Sequence, residues 1–136
     1  MTDEPVLRPV GRVESTLTDR ALAPKQGDEG APEAWLVLDS AMGLAARDLQ
    51  VGDEILVLTW LDRAERDVLA VHPRDDRARP LTGVFSTRSS DRPNPIGLHA
   101  TEIVAIDGTR IRVRNLEAID GTPVLDIKPV LRPADR

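Results

Sequence analysis

Eleven prolines and nine glycines are scattered along the 136 residues, so few stretches could sustain a long helix. A proline lacks the amide donor and fixes φ, so it ends a helix and is confined to the edges and bulges of a sheet. Between these breaks the apolar residues come in short runs or alternate, the pattern of an all-β domain of short strands. The expected fold is all-β and mainly antiparallel. It is a small closed or partly open β-barrel of about seven strands, with one short helix and long loops. One domain over residues 1–136 is expected, long enough to bury about two-thirds of its unfolded surface.

Strands are read at residues 6–15, 34–38, 54–61, 66–71, 83–86, 101–106, 109–116 and 121–130. Residues 17–32 form a long polar loop and 73–80 a charged one. The helix candidate is 40–49, with Ser40 as its cap and Met42, Ala45, Ala46 and Leu49 on one face. The run EILVLTWL at 54–61 predicts a central strand buried on both faces. Asp107-Gly108 between two β runs is a hairpin signal. On its return strand Arg110, Arg112 and Arg114 share one face, read as a solvated outer wall.

The net charge of −5 argues against nonspecific nucleic-acid binding, although 16 of the 18 basic residues are arginine and could form a local patch. Trp35, Trp60 and Phe85 are the only aromatic side chains, too few for a stacking platform. There is no cysteine, which excludes disulfides and thiolate chemistry and fits a cytoplasmic location. No run of ~18 apolar residues exists to span a membrane, and no secretory signal is read at the start. No G-x-G-x-x-G, Walker or G-x-S-x-G motif is present. His72 and His99 lack metal-ligand spacing and are read as surface or packed histidines, so no metal is expected.

Two segments concentrate glycine, proline and charge beside apolar strands: GVFSTRSSDRPNPIGL at 83–98 and LEAIDGTPVLDIKP at 116–129. Such loops either turn tight corners or leave backbone groups free to read a ligand. The first segment resembles the TsaA-like signature GVFATRS-x-x-RPNPIG, and the second resembles its partner LDGTPVLDIKPY. Pro24, Lys25 and Gln26 look like the upstream PRQ element. Over residues 6–130 the chain is thus similar to the TrmO-type tRNA N6-methyltransferase family.

The resemblance implies a dimeric β-barrel methyltransferase that binds S-adenosyl-L-methionine near the subunit interface. It implies methylation of N6 of threonylcarbamoyl-adenosine, next to the anticodon of threonine tRNA. It places Pro24, Lys25, Gln26, Arg88, Leu98 and the turn Asp120, Gly121, Thr122 and Pro123 at the cofactor. Asp62 stands where many members have histidine, and Val130 where the usual residue is tyrosine. Arg88 is suited to the cofactor carboxylate, because a guanidinium offers a bidentate fork. Arg92, Asn94 and Lys128 are candidates for substrate contact and Asp126 for the base. Lys128 and Asp126 should share a strand face. Arg63, Arg66, Arg74, Arg77, Arg79 and Arg92 could form a tRNA-binding band. The alternatives are a non-catalytic cofactor-binding module and a methyltransferase acting on a small molecule.

Overall fold

A computed structural model describes residues 3–19 and 30–135. Six strands close on themselves as an antiparallel barrel. They are β1 (Gly11–Glu14), β2 (Ala34–Leu38), β3 (Glu54–Trp60), β6 (Ile96–Asp107), β7 (Arg110–Val113) and β8 (Pro123–Pro129). Around the ring the order is β1, β2, β7, β6, β3, β8, and β8 pairs back onto β1. A separate ribbon of β4 (Ala70–Val71) and β5 (Thr82–Gly83) lies within the excursion between β3 and β6.

The barrel has six strands where about seven were expected. Residues 66–71 and 83–86 supply only two-residue strands, and Val84–Ser86 is a 3-10 turn. In compensation β6 begins at Ile96, directly after Pro95, and runs for 12 residues. Its first half pairs with β3 and its second half with β7.

Alternation along the strands builds the core. Val13, Leu36, Ile55, Val57, Ile103, Ile111, Val113 and Val124 point inward and are essentially inaccessible. Each such side chain contributes about 1.5–3 kcal/mol on burial. The run at β3 is buried on one face only: Ile55, Val57 and Thr59 face in, while Leu56, Leu58 and Trp60 are half-buried on the outside. A barrel strand has a second layer on its inner face alone, which corrects the two-sided reading.

Ring order decides what covers the ends. β2 and β3 stand on opposite sides, so the chain between them must cross one mouth. That crossing is a 3-10 turn, Ser40–Met42, followed by the short helix α1 (Gly43–Ala46). Met42, Ala46 and Leu49 pack against the core from there. Asp39, not Ser40, takes the cap position, and neither caps with its side chain. β7 and β8 also stand opposite one another, so residues 114–122 cross the other mouth. Leu116 and Ala118 plug it.

The β6–β7 hairpin turns at Gly108-Thr109, one residue later than read, because Asp107 still pairs with Arg110. Gly108 has φ +61 at the first corner, which suits a glycine. The arginines of β7 do line the outer wall. Arg110, Arg112 and Arg114 pair with Glu14, Glu33 and Glu102, and the first two lie over Trp35.

Candidate functional site

Both signature segments reach the same end of the barrel. The connection 61–95 leaves β3 there and returns into β6. The turn before β8 sits there, and so do the described flanks of the β1–β2 connection. Pro24, Lys25 and Gln26 belong to that connection but lie outside the described residues.

The first segment is a braced loop. The Arg92 guanidinium donates to the carbonyls of Thr87, Ser89 and Val84 at 3.0–3.1 Å. The Arg92 amide bonds Glu65, and the Glu65 amide bonds the Asp91 carboxylate. Arg66 donates to the Pro93 carbonyl at 2.8 Å and to Asn94 Oδ1 at 2.9 Å, while its guanidinium stacks 5.0 Å from the Trp60 ring. So Arg92 holds the loop together, and the Asn94 side chain is engaged by Arg66. Arg88 differs. It is exposed, and its guanidinium bonds to none of the described residues.

Replacing Arg92 with alanine removes three hydrogen bonds at once and strands the carbonyls of Thr87 and Ser89, while the Val84 carbonyl keeps the Thr87 amide and hydroxyl. Hydrogen bonds to a charged donor are worth ~1.5–3 kcal/mol each and are not additive, so a loss of about 2–3 kcal/mol is expected. Limited proteolysis should then cut within residues 84–92 while the barrel stays folded.

The second segment is a turn tied to β1. Gly121 has φ +84, and the Thr122 amide bonds the Ile119 carbonyl. The amides of Asp120 and Gly121 bond the carbonyls of Leu17 and Val13, both at 2.7 Å. The Asp120 carboxylate accepts the Ser15 amide at 3.0 Å, so it caps the segment that follows β1. Thr122 is buried, and its hydroxyl donates to the Ile119 carbonyl. Pro123 opens β8 and pairs with Arg12.

The barrel brings three of the expected residues onto one outer panel. Leu98 on β6 pairs with Leu58 on β3, and Leu58 pairs with Asp126 on β8. The next row is Ala100, Leu56 and Lys128. Lys128 Nζ lies 4.0 Å from Asp126 Oδ2, on the shared face that alternation requires. Asp126 Oδ1 accepts the amide of Ile127. Ile96 and Leu98 keep 44% and 42% of their surface exposed on this panel. Asp62 stands apart, exposed in the turn after β3.

A cavity of about 100 Å³ under the helix is lined by Met42, Ala45, Ala46, Leu49 and Asp126. A more open one of about 360 Å³ lies between Glu54, Thr101, Arg114 and Val130. Of the expected site residues, only Asp126 borders either. No group of three or more metal-binding side chains occurs among the described residues, and no helix among them is long and apolar enough to cross a membrane.

Sequence reasoning missed one cluster. Under the motif end, Thr59 Oγ1 lies 2.8 Å from His99 Nε2, and His99 Nδ1 lies 2.6 Å from Glu117 Oε1. Thr59 and His99 are buried, and Glu117 is nearly so. The available signal was period two: Gly97 and His99 share an inward face once residues 96–100 are recognised as strand.

The tRNA-methyltransferase O N-terminal domain pattern matches residues 12–136. A probable S-adenosyl-L-methionine-binding protein of Methanothermobacter thermautotrophicus is 43% identical over 129 residues, covering 95% of this chain and 92% of that protein. An S-adenosyl-L-methionine-binding protein of Archaeoglobus fulgidus is 41% identical over 125 residues, covering 90% of this chain and 87% of that protein. The crystal structure of TrmO from P. aeruginosa superimposes with a TM-score of 0.76 at 26% identity. That match covers 100% of this chain and 59% of the TrmO chain. With the match spanning nearly the whole barrel and both signature segments, the chain belongs to the tRNA-methyltransferase O N-terminal domain family.

Proposed function

We propose that the chain binds S-adenosyl-L-methionine at the motif end of the barrel and is a methyltransferase. In this reading the acceptor is N6 of threonylcarbamoyl-adenosine beside the anticodon of threonine tRNA. The observation that carries it is the convergence of both signature segments at one end, beside an arginine left free of the described residues. The binding names of the relatives and the family of the chain support the same reading.

The chemistry of the residues fits the cofactor. Its carboxylate needs a planar cationic fork, and the Arg88 guanidinium supplies one. Its adenine needs an apolar ledge, and Leu98 beside Ile96 is exposed to serve. Asp120 keeps one carboxylate oxygen for a ribose hydroxyl or the ammonium group, since the other holds Ser15. Gly121, Thr122 and Pro123 present that carboxylate, and Pro24, Lys25, Gln26 and Asp62 complete the site. When bound, the cofactor supplies a methyl group on a cationic sulfur, open to in-line displacement. The chain's own task is orientation, which can be worth about 7–11 kcal/mol. Asp126 takes the proton from the urea-like nitrogen of the acceptor, and Lys128 and Asn94 contact the substrate. Arg63, Arg66, Arg74, Arg77 and Arg79 meet tRNA phosphates, while Arg92 acts by shaping the loop. A second copy covers the panel of Leu58, Trp60, Ile96 and Leu98, which brings the cofactor to a homodimer interface. A cytoplasmic setting goes with this substrate, and a single domain with this fold.

The test is transfer of labelled methyl from S-adenosyl-L-methionine to tRNA. Label should appear on tRNA carrying the threonylcarbamoyl group and be absent from tRNA lacking it. Asp126→Asn should lower transfer while cofactor binding persists. A second reading, a non-catalytic binding module, draws on relatives named for binding rather than transfer. Binding with no transfer to any tRNA would favour it.

A further inference from the structure

The buried chain of Thr59, His99 and Glu117 has a direction. A carboxylate only accepts, so His99 Nδ1–H donates to Glu117. With the ring neutral, its other nitrogen accepts from the Thr59 hydroxyl. This is the polarity of a hydrolase triad, but Thr59 is 0% exposed inside the barrel, where no carbonyl can reach Oγ1.

Its placement points to another use. Glu117 lies between Leu116 and Ala118, the two plugs of the connection that crosses the motif-end mouth. His99 stands on β6, next to Leu98. The hydrogen bond from His99 to Glu117 is thus a strut from the wall bearing one signature segment to the chain bearing the other. Three residues beyond Glu117 the turn begins at Asp120. The last glycine of the first signature makes room for the strut: a Cβ on Gly97 would collide with Thr59 Oγ1 and come 2.7 Å from His99 Nε2.

We propose that His99 and Glu117, supported by Thr59, are positioning residues that set the mouth-crossing connection and hold the Asp120–Pro123 turn in its binding geometry. The proposal deepens the cofactor-binding reading and rests on it for the consequence on affinity. The strut itself is tested separately. In Glu117→Leu, hydrogen exchange at the amides of Asp120, Gly121 and Thr122 should accelerate about tenfold or more, while core amides in β3 and β6 keep their protection. At a temperature where the variant is folded, S-adenosyl-L-methionine affinity by calorimetry should fall about tenfold, the scale on which displaced second-sphere partners act. Glu117→Gln keeps an oxygen for His99 Nδ1–H and should retain most of the affinity. Faster exchange spread evenly over all strands, or unchanged exchange at the turn, overturns the proposal. If the parent protein binds no S-adenosyl-L-methionine, the cofactor reading fails and the exchange pattern still decides the strut. If Glu117→Leu does not fold, the isosteric Thr59→Val replaces it, and the same amides should shift in the same direction by a smaller factor.

Discussion

Gly97→Ala should destabilise the protein by about 3 kcal/mol, the sum of an overpacking cost and a buried hydrogen bond lost. At this chain length that lowers Tm by roughly 10 °C. The added methyl meets the Thr59 hydroxyl, His99 Nε2 and Leu61 Cδ2, the last at 3.2 Å. Neither Thr59 nor His99 can swing outward, because both are enclosed by the barrel. The Thr59–His99 hydrogen bond must break or the strands must part. Thermal unfolding of a double-mutant cycle separates these causes. Thr59→Ala removes the obstructing hydroxyl, so adding Gly97→Ala to it should cost clearly less than in the parent. Simple additivity would show that Gly97 matters for some other reason.

Leu36→Ala should cost about 3–4 kcal/mol, in the range measured for buried leucine truncations. Leu36 is inaccessible, and β2 pairs it with Val13 of β1 on one side and Ile111 of β7 on the other. Removing it opens a cavity among side chains held by three strands, which cannot collapse without breaking the barrel seam. Domains of this kind are stable by only about 5–15 kcal/mol, so urea unfolding should show a large drop in midpoint with an unchanged slope. A loss below about 1 kcal/mol would mean that the core can relax around the site, contrary to this packing.

Short apolar runs between turn signals made β2, β3 and β8 legible as strands, and period-two alternation made β7 legible, but the unbroken run at β3 hid that it has only one buried face. The outer arginines of β7 were legible from that alternation. What the sequence hid was the start of β6. Two prolines at 93 and 95 read as a break, but both precede the strand, where a missing donor costs no ladder bond. With Ile96–Ala100 left out of the strands read, the inward pair Gly97 and His99 went unseen, and with it the strut to Glu117. The apparent strands at 66–71 and 83–86 carry strand-like residues but serve an excursion held by Arg66 and Arg92, and side chains bonding to carbonyls leave no periodic trace. Arg92 illustrates the limit: its charge was visible, whereas its use on three carbonyls depended on how the loop folds.

In the proposed reading the two signature segments make a cofactor site around Arg88. Calorimetric titration of the purified protein with S-adenosyl-L-methionine, beside Arg88→Ala, tests it most directly. Saturable binding by the parent is expected, with a loss of about tenfold to a hundredfold in affinity for the variant, the equivalent of one charged hydrogen-bonded pair. No binding by a folded parent, or equal binding by both proteins, would contradict it.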